Sequence, residues 1–243
     1  MPSLEENINF WNTKYHWTDQ GNEWSQTWGS PSIQWYGSIY IRLINYLPVD
    51  SILEIASGYG RWTSFLKNYC KKLYAVDVSE KCVSFCKEKF KAFKNIFPIQ
   101  NNGSSLPMIN DSSIDFVFSF DSFVHFDLET INLYMTEVEK KLKLGGVAFI
   151  HHSNMAQYPD FINNEAWRSP DMSYEIFERI CKKNGLNCIV QEEINWGNDT
   201  QHLTDCFTLF IKGELTKKVA HIKNYDFINE AIILKKIHDN YFS

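Results

Sequence analysis

The alternation of apolar and polar positions along the chain predicts a sheet of parallel strands covered by helices. From residue 51 onward, short runs rich in β-branched and aromatic residues alternate with stretches in which apolar residues recur at helical spacing. Strands are predicted near 51–55, 73–78, 96–100, 114–120, 146–151, 187–194 and 205–212. Helices are predicted near 61–70, 79–93 and 128–143, with N-caps at Ser79 and Asp127, and another helix after Ser173. The pattern therefore predicts an α/β fold with a doubly wound, mostly parallel seven-stranded sheet.

Residues 37–212 are predicted to form the central domain, and one further segment flanks it on each side. Residues 1–36 hold five of the eight tryptophans but lack a clean helical or strand period, so we interpret them as an aromatic-rich N-terminal lid of short helices and loops. An amphipathic helix is predicted from 33 to 47, where Pro48 ends the pattern. Residues 213–243 are predicted to form a C-terminal helical extension.

The composition disfavours two classes of function, nucleic-acid binding and membrane association. The 243 residues include 24 basic and 29 acidic side chains, which give a net charge of -5 and no positive field for a phosphate backbone, so nucleic acid is not an expected partner. No apolar run reaches the roughly 20 residues of a membrane-spanning helix, and no membrane association is expected. The six cysteines form no CxxC pair, which is typical of reduced thiols in a cytoplasmic protein.

The turn after the first predicted strand carries the strongest chemical signal. The strand runs into the sequence Ala-Ser-Gly-Tyr-Gly at 56–60, where Gly58 and Gly60 let a ligand approach the backbone. Asp77 ends the second strand, a position that commonly binds ribose hydroxyls. A third glycine of the dinucleotide fingerprint is missing, and the carboxylate of Glu54 would repel a pyrophosphate. A cationic nucleoside such as S-adenosylmethionine satisfies these demands.

Five stretches resemble the motifs of a known family. Leu53–Gly60 and Ala75–Ser79 are similar to the first and second motifs of class I S-adenosylmethionine-dependent methyltransferases. Asn102–Pro107 stands in the place of their adenine-edge loop, and Ser113–Phe120 resembles their fourth-strand motif. Leu142–Gly146 matches the turn that they place before strand five. The ordered set is more specific than any single glycine pattern.

The resemblance spans about residues 40 to 212 and implies a Rossmann-like methyltransferase fold with S-adenosylmethionine as cofactor. The cofactor-binding residues that it implies are Glu54, Ala56, Gly58, Gly60, Asp77, Val78, Asn102, Gly103, Ser104 and Phe120. Ala56 replaces the usual first glycine, which its small methyl group should tolerate. Asn102 replaces a frequent acidic residue, and its amide oxygen can accept the same hydrogen bond from adenine.

Four shorter stretches, at 118–127, 149–154, 194–197 and 205–207, resemble a bacterial branch of glycan and surface-polysaccharide O-methyltransferases. This resemblance implies methyl transfer to a small-molecule acceptor, a hydroxyl of a sugar or a sugar- or nucleotide-linked group. The alternatives are an N-methyltransferase, a binding protein that has lost catalysis, and another transfer from the same fold, such as aminopropyl transfer. The oligomeric state, including a homo-oligomer, stays open.

Candidate catalytic residues follow the fourth and fifth strands, where open α/β sheets bind ligands. If the segment after strand four turns helically, Asp121 and His125 share one face, and the carboxylate could orient the imidazole as a general base. The other reading is a packed loop in which both are ordinary polar side chains. Strand alternation sends His151 and His152 to opposite faces, and we favour His152 as the one that faces the pocket. No ligand spacing such as HExxH unites these residues, so no metal is expected.

Residues after strand five are candidates for acceptor binding. Trp167, Arg168 and Asn154 fall in or just before a polar stretch. Arg168 could bind an anionic substrate group bidentately, and an ordinary salt bridge is an equal alternative. The N-terminal tryptophans could stack on a sugar or base face, or belong to the core.

Overall fold

A computed structural model describes residues 3–160, 168–197, 201–215 and 217–242 of the chain. This part forms one sheet of eight strands in the order β3-β2-β1-β4-β5-β7-β6-β8. The strands are β1 (Val49–Ile55), β2 (Cys70–Asp77), β3 (Ile96–Gln100), β4 (Ile114–Phe123), β5 (Leu142–Ser153), β6 (Leu186–Ile194), β7 (Asp205–Lys212) and β8 (Ala220–Asn224). β7 runs antiparallel to its two neighbours, and the other pairs are parallel. The mostly parallel Rossmann-like sheet was predicted correctly.

The count of seven strands was wrong, because β8 adds an eighth strand beside β6. It pairs in parallel from Val190↔Ala220 to Ile194↔Asn224. Four of its five residues are exposed, so its sequence has no buried face and no hydrophobic alternation that would mark a strand. The region predicted as a helical extension therefore begins with a solvent-exposed edge strand.

The helices cover both faces of this sheet. They are α1 (Leu4–Asn9), α2 (Pro31–Gln34), α3 (Tyr40–Leu43), α4 (Thr63–Leu66), α5 (Glu80–Lys89), α6 (Leu128–Lys141), α7 (Tyr174–Lys183) and α8 (Phe227–Phe242). A π-helical turn at Trp35–Ile39 joins α2 to α3, so the predicted amphipathic helix is one interrupted helical segment. The N-caps at Ser79, Asp127 and Ser173 are confirmed, since each side chain accepts a backbone N–H three residues later. None of the described helices is long and apolar enough to cross a membrane.

Two hydrophobic clusters fill the space between sheet and helices, one on each face. The first contains Phe118 and Phe149, and the second contains their strand neighbours Val117 and Ile150, as alternation requires. The N-terminal segment contributes Trp28 and Trp35 to the first cluster, where these side chains are 1% and 0% exposed. α8 packs there too, because Phe227 lies against Trp28 and Trp196. The C-terminal part of the predicted lid, together with α8, thus belongs to the core.

Candidate functional site

The loop after β1 is held in an unusual backbone conformation and tied to the end of β2. Ala56, Gly58 and Gly60 all have positive φ angles, +59°, +55° and +75°. Only glycine adopts this region without a steric cost, so Ala56 carries backbone strain that the fold must offset. The Asp77 carboxylate accepts hydrogen bonds from the Gly58 N–H at 2.7 Å and the Ser79 N–H at 2.8 Å. The two motif residues predicted to bind the cofactor therefore touch each other.

A cavity of about 340 Å³ opens where β1, β2 and β4 end, within the size range of small-molecule sites. Its wall comes from the loops after these strands and from the N-terminal segment. The predicted residues that line it are Ala56, Gly58, Asp77, Val78, Gly103, Phe120, Asp121, His125 and Arg168. The sheet therefore brings the candidate cofactor, base and acceptor residues to one cavity, although they lie up to 112 residues apart in sequence.

Glu54 and Gly60 lie behind the loop rather than at the cavity, which corrects their predicted role as direct contacts. Glu54 is buried and accepts a hydrogen bond from Thr63 Oγ1. Burial raises the pKa of Glu54 to about 8, so its carboxyl group is largely protonated at neutral pH and cannot attract a cationic ligand as proposed. A Cβ at Gly60 would meet Phe90 and Cys86, so this glycine permits close packing of α5.

In the adenine-edge loop, too, only some of the predicted residues line the cavity. Gly103 lines the cavity, while the exposed Asn102 side chain accepts the backbone N–H groups of Ser104 at 3.1 Å and Ser105 at 2.8 Å. Asn102 thus shapes the loop by an Asx turn instead of presenting its amide oxygen to the cavity. Ser104 takes part through this turn and also lies outside the cavity lining.

The N-terminal segment packs over the glycine loop. The Trp17 ring lies so close to Gly58 that a Cβ on this glycine would stand 2.9 Å from it, and it stacks on Tyr59 with ring centroids 4.6 Å apart. At the other end, Leu4 stands 2.8 Å from the corresponding position on Gly103. The individual contacts carried no local signal beyond the density of aromatic residues.

Asp121 and His125 both line the cavity, but the predicted helical pairing between them is wrong. β4 continues to Phe123, so the segment from 121 to 125 is not a helix. Asp121 has a left-handed φ of +62°, and its carboxylate faces Arg61 and the Nδ1 atom of His151, the latter at 3.2 Å. Burial would raise the pKa of Asp121, but the charge of Arg61 and the bond to His151 lower it overall.

His125 itself is placed at the cavity by backbone contacts. Its carbonyl oxygen accepts a hydrogen bond from Asn7 Nδ2 at 3.0 Å, and its own N–H donates to the Ser122 carbonyl at 3.0 Å. The imidazole ring lies 5.7 Å from the Trp11 ring. α1 and the turn after β4 therefore hold this histidine in the cavity wall together.

The two adjacent histidines of β5 face opposite sides of the sheet, and neither His151 nor the favoured His152 belongs to the cavity lining. His152 is buried away from the cavity, where its ring nitrogens bond Ser153 O and Thr208 Oγ1 at 2.8 Å each. Burial lowers its pKa to about 3, so it stays neutral. His151 lies on the opposite face, in the strand phase of Phe149, where it is buried behind Asp121 of the cavity lining.

The three residues predicted to bind the methyl acceptor differ in where the structure places them. Asn154 is fully buried, and its side chain bonds Glu193, Leu203 O and the Tyr174 N–H, so its role is structural and the prediction of substrate contact is corrected. Arg168 lines the cavity and forms a salt bridge with Asp205. Trp167 falls outside the described residues.

The cradle formed by these residues fits S-adenosylmethionine. Gly58, Asp77 and Gly103 line the cavity together, and the Trp17 and Leu4 side chains lie against the two glycines. Burial raises the pKa of Asp77 to about 6, so at neutral pH it is largely the carboxylate that ribose hydroxyls require. Among the described residues, no three or more His, Cys, Asp or Glu side chains are arranged to hold a metal ion.

Comparison with known proteins agrees with this geometry. Residues 53–150 match a family model described as a methyltransferase domain. The fold is that of class I S-adenosylmethionine-dependent methyltransferases. A methyltransferase of this kind from Clostridium acetobutylicum shares 18% identity at a TM-score of 0.58, over 86% of this chain and 97% of its own. A second, from Aquifex aeolicus, shares 18% at a TM-score of 0.55, over 77% and 95% of the two chains.

A protein from Pyrococcus horikoshii reaches a TM-score of 0.60 at 17% identity and covers 84% of this chain and 95% of its own. No curated protein sequence matches the chain significantly. Residues 53–150 therefore match a methyltransferase domain, and the solved structures share the fold of the whole sheet.

Proposed function

We propose that this methyltransferase fold transfers a methyl group from S-adenosylmethionine to a hydroxyl of a sugar or a sugar-linked small molecule. The observation that carries the proposal is one cavity lined by Asp77, Gly58 and His125. Cofactor-type and base-type groups therefore face the same enclosed space. The resemblance to bacterial glycan O-methyltransferases supports the sugar, and surface-glycan biosynthesis is the process in which we place it.

The cofactor end of the cavity is built for binding and orientation. When bound, S-adenosylmethionine supplies an electrophilic methyl group on a sulfonium. The Asp77 carboxylate would hold the ribose hydroxyls, and Gly58, which has no Cβ, leaves room for the Trp17 ring beside the loop. Alignment of two reactants in one cavity provides much of the rate, because their entropy is lost on binding rather than in the reaction.

His125 is the proposed general base. A hydroxyl is a poor nucleophile at neutral pH, and removal of its proton in the transition state by an imidazole accelerates such reactions. His125 suits this task because it lies in the cavity wall and its backbone is fixed on both sides. The flat faces of Trp11, Trp24 and Trp196, which also line the cavity, can pack on a sugar ring.

The proposal is tested by methyl transfer from labelled S-adenosylmethionine to a panel of sugars, nucleotide sugars and surface-glycan fragments. We expect a labelled ether and an equal amount of S-adenosylhomocysteine. Methylthioadenosine formed from the decarboxylated cofactor would indicate aminopropyl transfer instead, and label on amines alone would indicate an N-methyltransferase. Cofactor binding without transfer to any acceptor would favour a regulatory binding protein. Other chemistry occurs on similar folds, since a [4+2]-cyclase matches over 62% of this chain at a TM-score of 0.53.

We predict that His125→Ala lowers turnover about 10²- to 10⁴-fold, because general-base assistance is lost. Cofactor affinity should stay nearly unchanged, because the residues proposed to hold the cofactor are Gly58, Asp77 and Gly103 and do not include His125. Single-turnover kinetics and calorimetry measure the two quantities separately. His221→Ala, at an exposed histidine outside the cavity lining, is the matched control and should behave as wild type. Near-normal turnover in His125→Ala would exclude this base.

A further inference from the structure

A row of aromatic rings in the N-terminal segment connects the glycine loop with the proposed base. The Trp17 ring lies against Gly58, and its centroid is 5.9 Å from that of Trp11. The centroid of Trp11 is in turn 5.7 Å from that of His125. Tyr15 contacts both indoles, with its ring centroid 5.0 Å from each. All of these residues line the cavity, so aromatic surface extends inside it from the cofactor loop to the base.

The position of Trp11 in this row is set by the helix that precedes it. Trp11 lies in a π-helical turn at Phe10–Lys14 that directly follows α1, and such turns are frequent at functional sites. Four residues earlier, Asn7 in α1 donates a hydrogen bond of 3.0 Å to the carbonyl oxygen of His125. Side chains four residues apart lie on the same helix face, so the bond that fixes Asn7 also brings Trp11 to His125.

S-Adenosylmethionine carries a positive charge on its sulfur, and the nearby carboxylates have other partners. Burial raises the pKa of Glu54 to about 8, so this carboxyl group is largely neutral at pH 7. Of the described residues that line the cavity, two carry carboxylates, Asp77 and Asp121. Asp77 accepts two backbone N–H groups and is assigned to the ribose, while Asp121 forms a salt bridge with Arg61. Recognition of the sulfonium therefore falls to other groups in the cavity.

The face of an aromatic ring is such a group. It carries negative electrostatic potential and attracts a cation within about 6 Å of the ring centroid, and tryptophan is the most effective side chain in this role. For methyl transfer, the sulfur must lie between the ribose held by Asp77 and the acceptor hydroxyl at His125. Trp11 contacts both His125 and the indole that lies against the glycine loop, so its ring lines the space between these two sites.

We propose that Trp11 binds the sulfonium of S-adenosylmethionine through the face of its indole. The inference rests on the proposed function, because that function places the acceptor hydroxyl at His125. Trp24 and Trp196 then remain to pack on the acceptor ring. Transfer breaks the S–CH3 bond and leaves its electron pair on the sulfur, so S-adenosylhomocysteine is neutral at this atom and the attraction is lost. Trp11 thus makes the site prefer the cofactor over its product.

The test is calorimetric titration of S-adenosylmethionine and S-adenosylhomocysteine into the full chain and its variants. Trp11→Leu keeps an apolar side chain without a π face, and we expect it to weaken S-adenosylmethionine about 5- to 30-fold more than S-adenosylhomocysteine. Trp11→Phe should recover part of this difference, because a phenyl face binds cations more weakly than an indole but still binds them. Tyr36→Leu, which removes an exposed ring outside the cavity lining, is the control and should change neither affinity.

The two ligands separate recognition of charge from packing. Equal weakening of both in Trp11→Leu, or no weakening of either, would overturn the proposal. If Trp11→Leu fails to fold, wild-type protein that contains fluorinated tryptophans replaces it, because fluorine withdraws negative charge from the indole face at nearly constant size. Affinity for S-adenosylmethionine alone should then fall with each added fluorine, and a parallel change for both ligands would contradict the proposal.

Failure of the proposed function gives a different result. The titrations contain no acceptor, so they do not depend on which group is methylated. Absence of methyl transfer to any hydroxyl, together with the predicted difference between the two ligands, would contradict the hydroxyl acceptor and leave the sulfonium contact in place. Failure of the wild-type protein to bind either ligand would contradict the cofactor site itself, and with it both proposals.

Discussion

The contact between Gly58 and Asp77 shows how much of the site single residues determine. The Asp77 carboxylate ends β2 and accepts the Gly58 N–H, so one acidic side chain both fixes the loop and offers a ligand site. Gly58 provides this N–H only because its φ of +55° turns the backbone toward β2. The conformation of the loop after β1 and ligand binding at Asp77 therefore depend on the same hydrogen bond.

We predict that Gly58→Val weakens S-adenosylmethionine binding at least 10-fold. The valine side chain would strain a left-handed backbone. Its Cβ would also stand only 2.9 Å from the Trp17 ring. Calorimetry of the folded variant measures the loss. Gly185→Val is the matched control, because Gly185 also has a positive φ, of +72°, but no atom lies within 4 Å of its Cβ position. Equal cofactor binding by both variants would make the loop at 58 a structural turn only.

Sequence reasoning succeeds where the signal is local and fails where it depends on distant pairing. Gly58 and Asp77 were found because a strand, a glycine turn and a strand-end acid follow one another in the chain. The hydrogen bond from Arg61 to Asp121 joins residues 60 positions apart, and no local sequence pattern predicts it. The choice between His151 and His152 could not be made locally, because the phase of β5 decides which histidine contacts Asp121, and strand alternation shows only that the two side chains point to opposite faces.

At the scale of elements, the N-terminal segment divides into a cover and a core. Leu4, Trp11 and Trp17 line the cavity, whereas Trp28 and Trp35 are buried in the hydrophobic cluster under the sheet. The aromatic composition alone does not separate the two, because both parts are rich in tryptophan. The described contacts of α8 with Trp28 explain why the boundary lies where it does.

Deletion of residues 1–18 should therefore leave the sheet folded but speed the release of S-adenosylhomocysteine at least 10-fold, because the cover over Gly58 is lost. Stopped-flow fluorescence measures the release, and circular dichroism reports the fold. Trp28→Ala is the contrasting variant: loss of a buried tryptophan should lower the free energy of unfolding by about 3–5 kcal/mol. A truncated chain that does not fold would place residues 1–18 in the core as well.

At the scale of the whole molecule, buried ionisable groups should make stability depend on pH. The pKa of Glu54 is about 8 in the folded protein and near its ordinary value when unfolded. Its contribution to stability is therefore complete below about pH 4.5 and is lost as pH rises through 8, since the folded state binds the proton more tightly. The pKa of His152 is about 3, below its ordinary value of 6.5. Its contribution to stability is therefore present above pH 6.5 and is lost as pH falls toward 3.

Glu54→Gln isolates the first effect, because both proteins keep His152 and Asp77. We predict that the melting temperature of Glu54→Gln rises relative to wild type as pH increases from about 5 to 8 and then levels off. Thermal unfolding at several pH values measures this difference. A difference that stays constant over the range would mean that Glu54 is ionised in the folded protein.

The most direct measurement of the central claim is the calorimetric titration of S-adenosylmethionine into the wild-type protein, Asp77→Ala and Asp50→Ala. Asp50 is an exposed aspartate paired with Lys71 and serves as the matched control. Wild type and Asp50→Ala should bind with equal affinity, and Asp77→Ala should lose about 1–3 kcal/mol, since charge-assisted hydrogen bonds to the ribose disappear. No binding by the wild type, or unchanged affinity in a folded Asp77→Ala variant, would contradict a cofactor site at the end of β2.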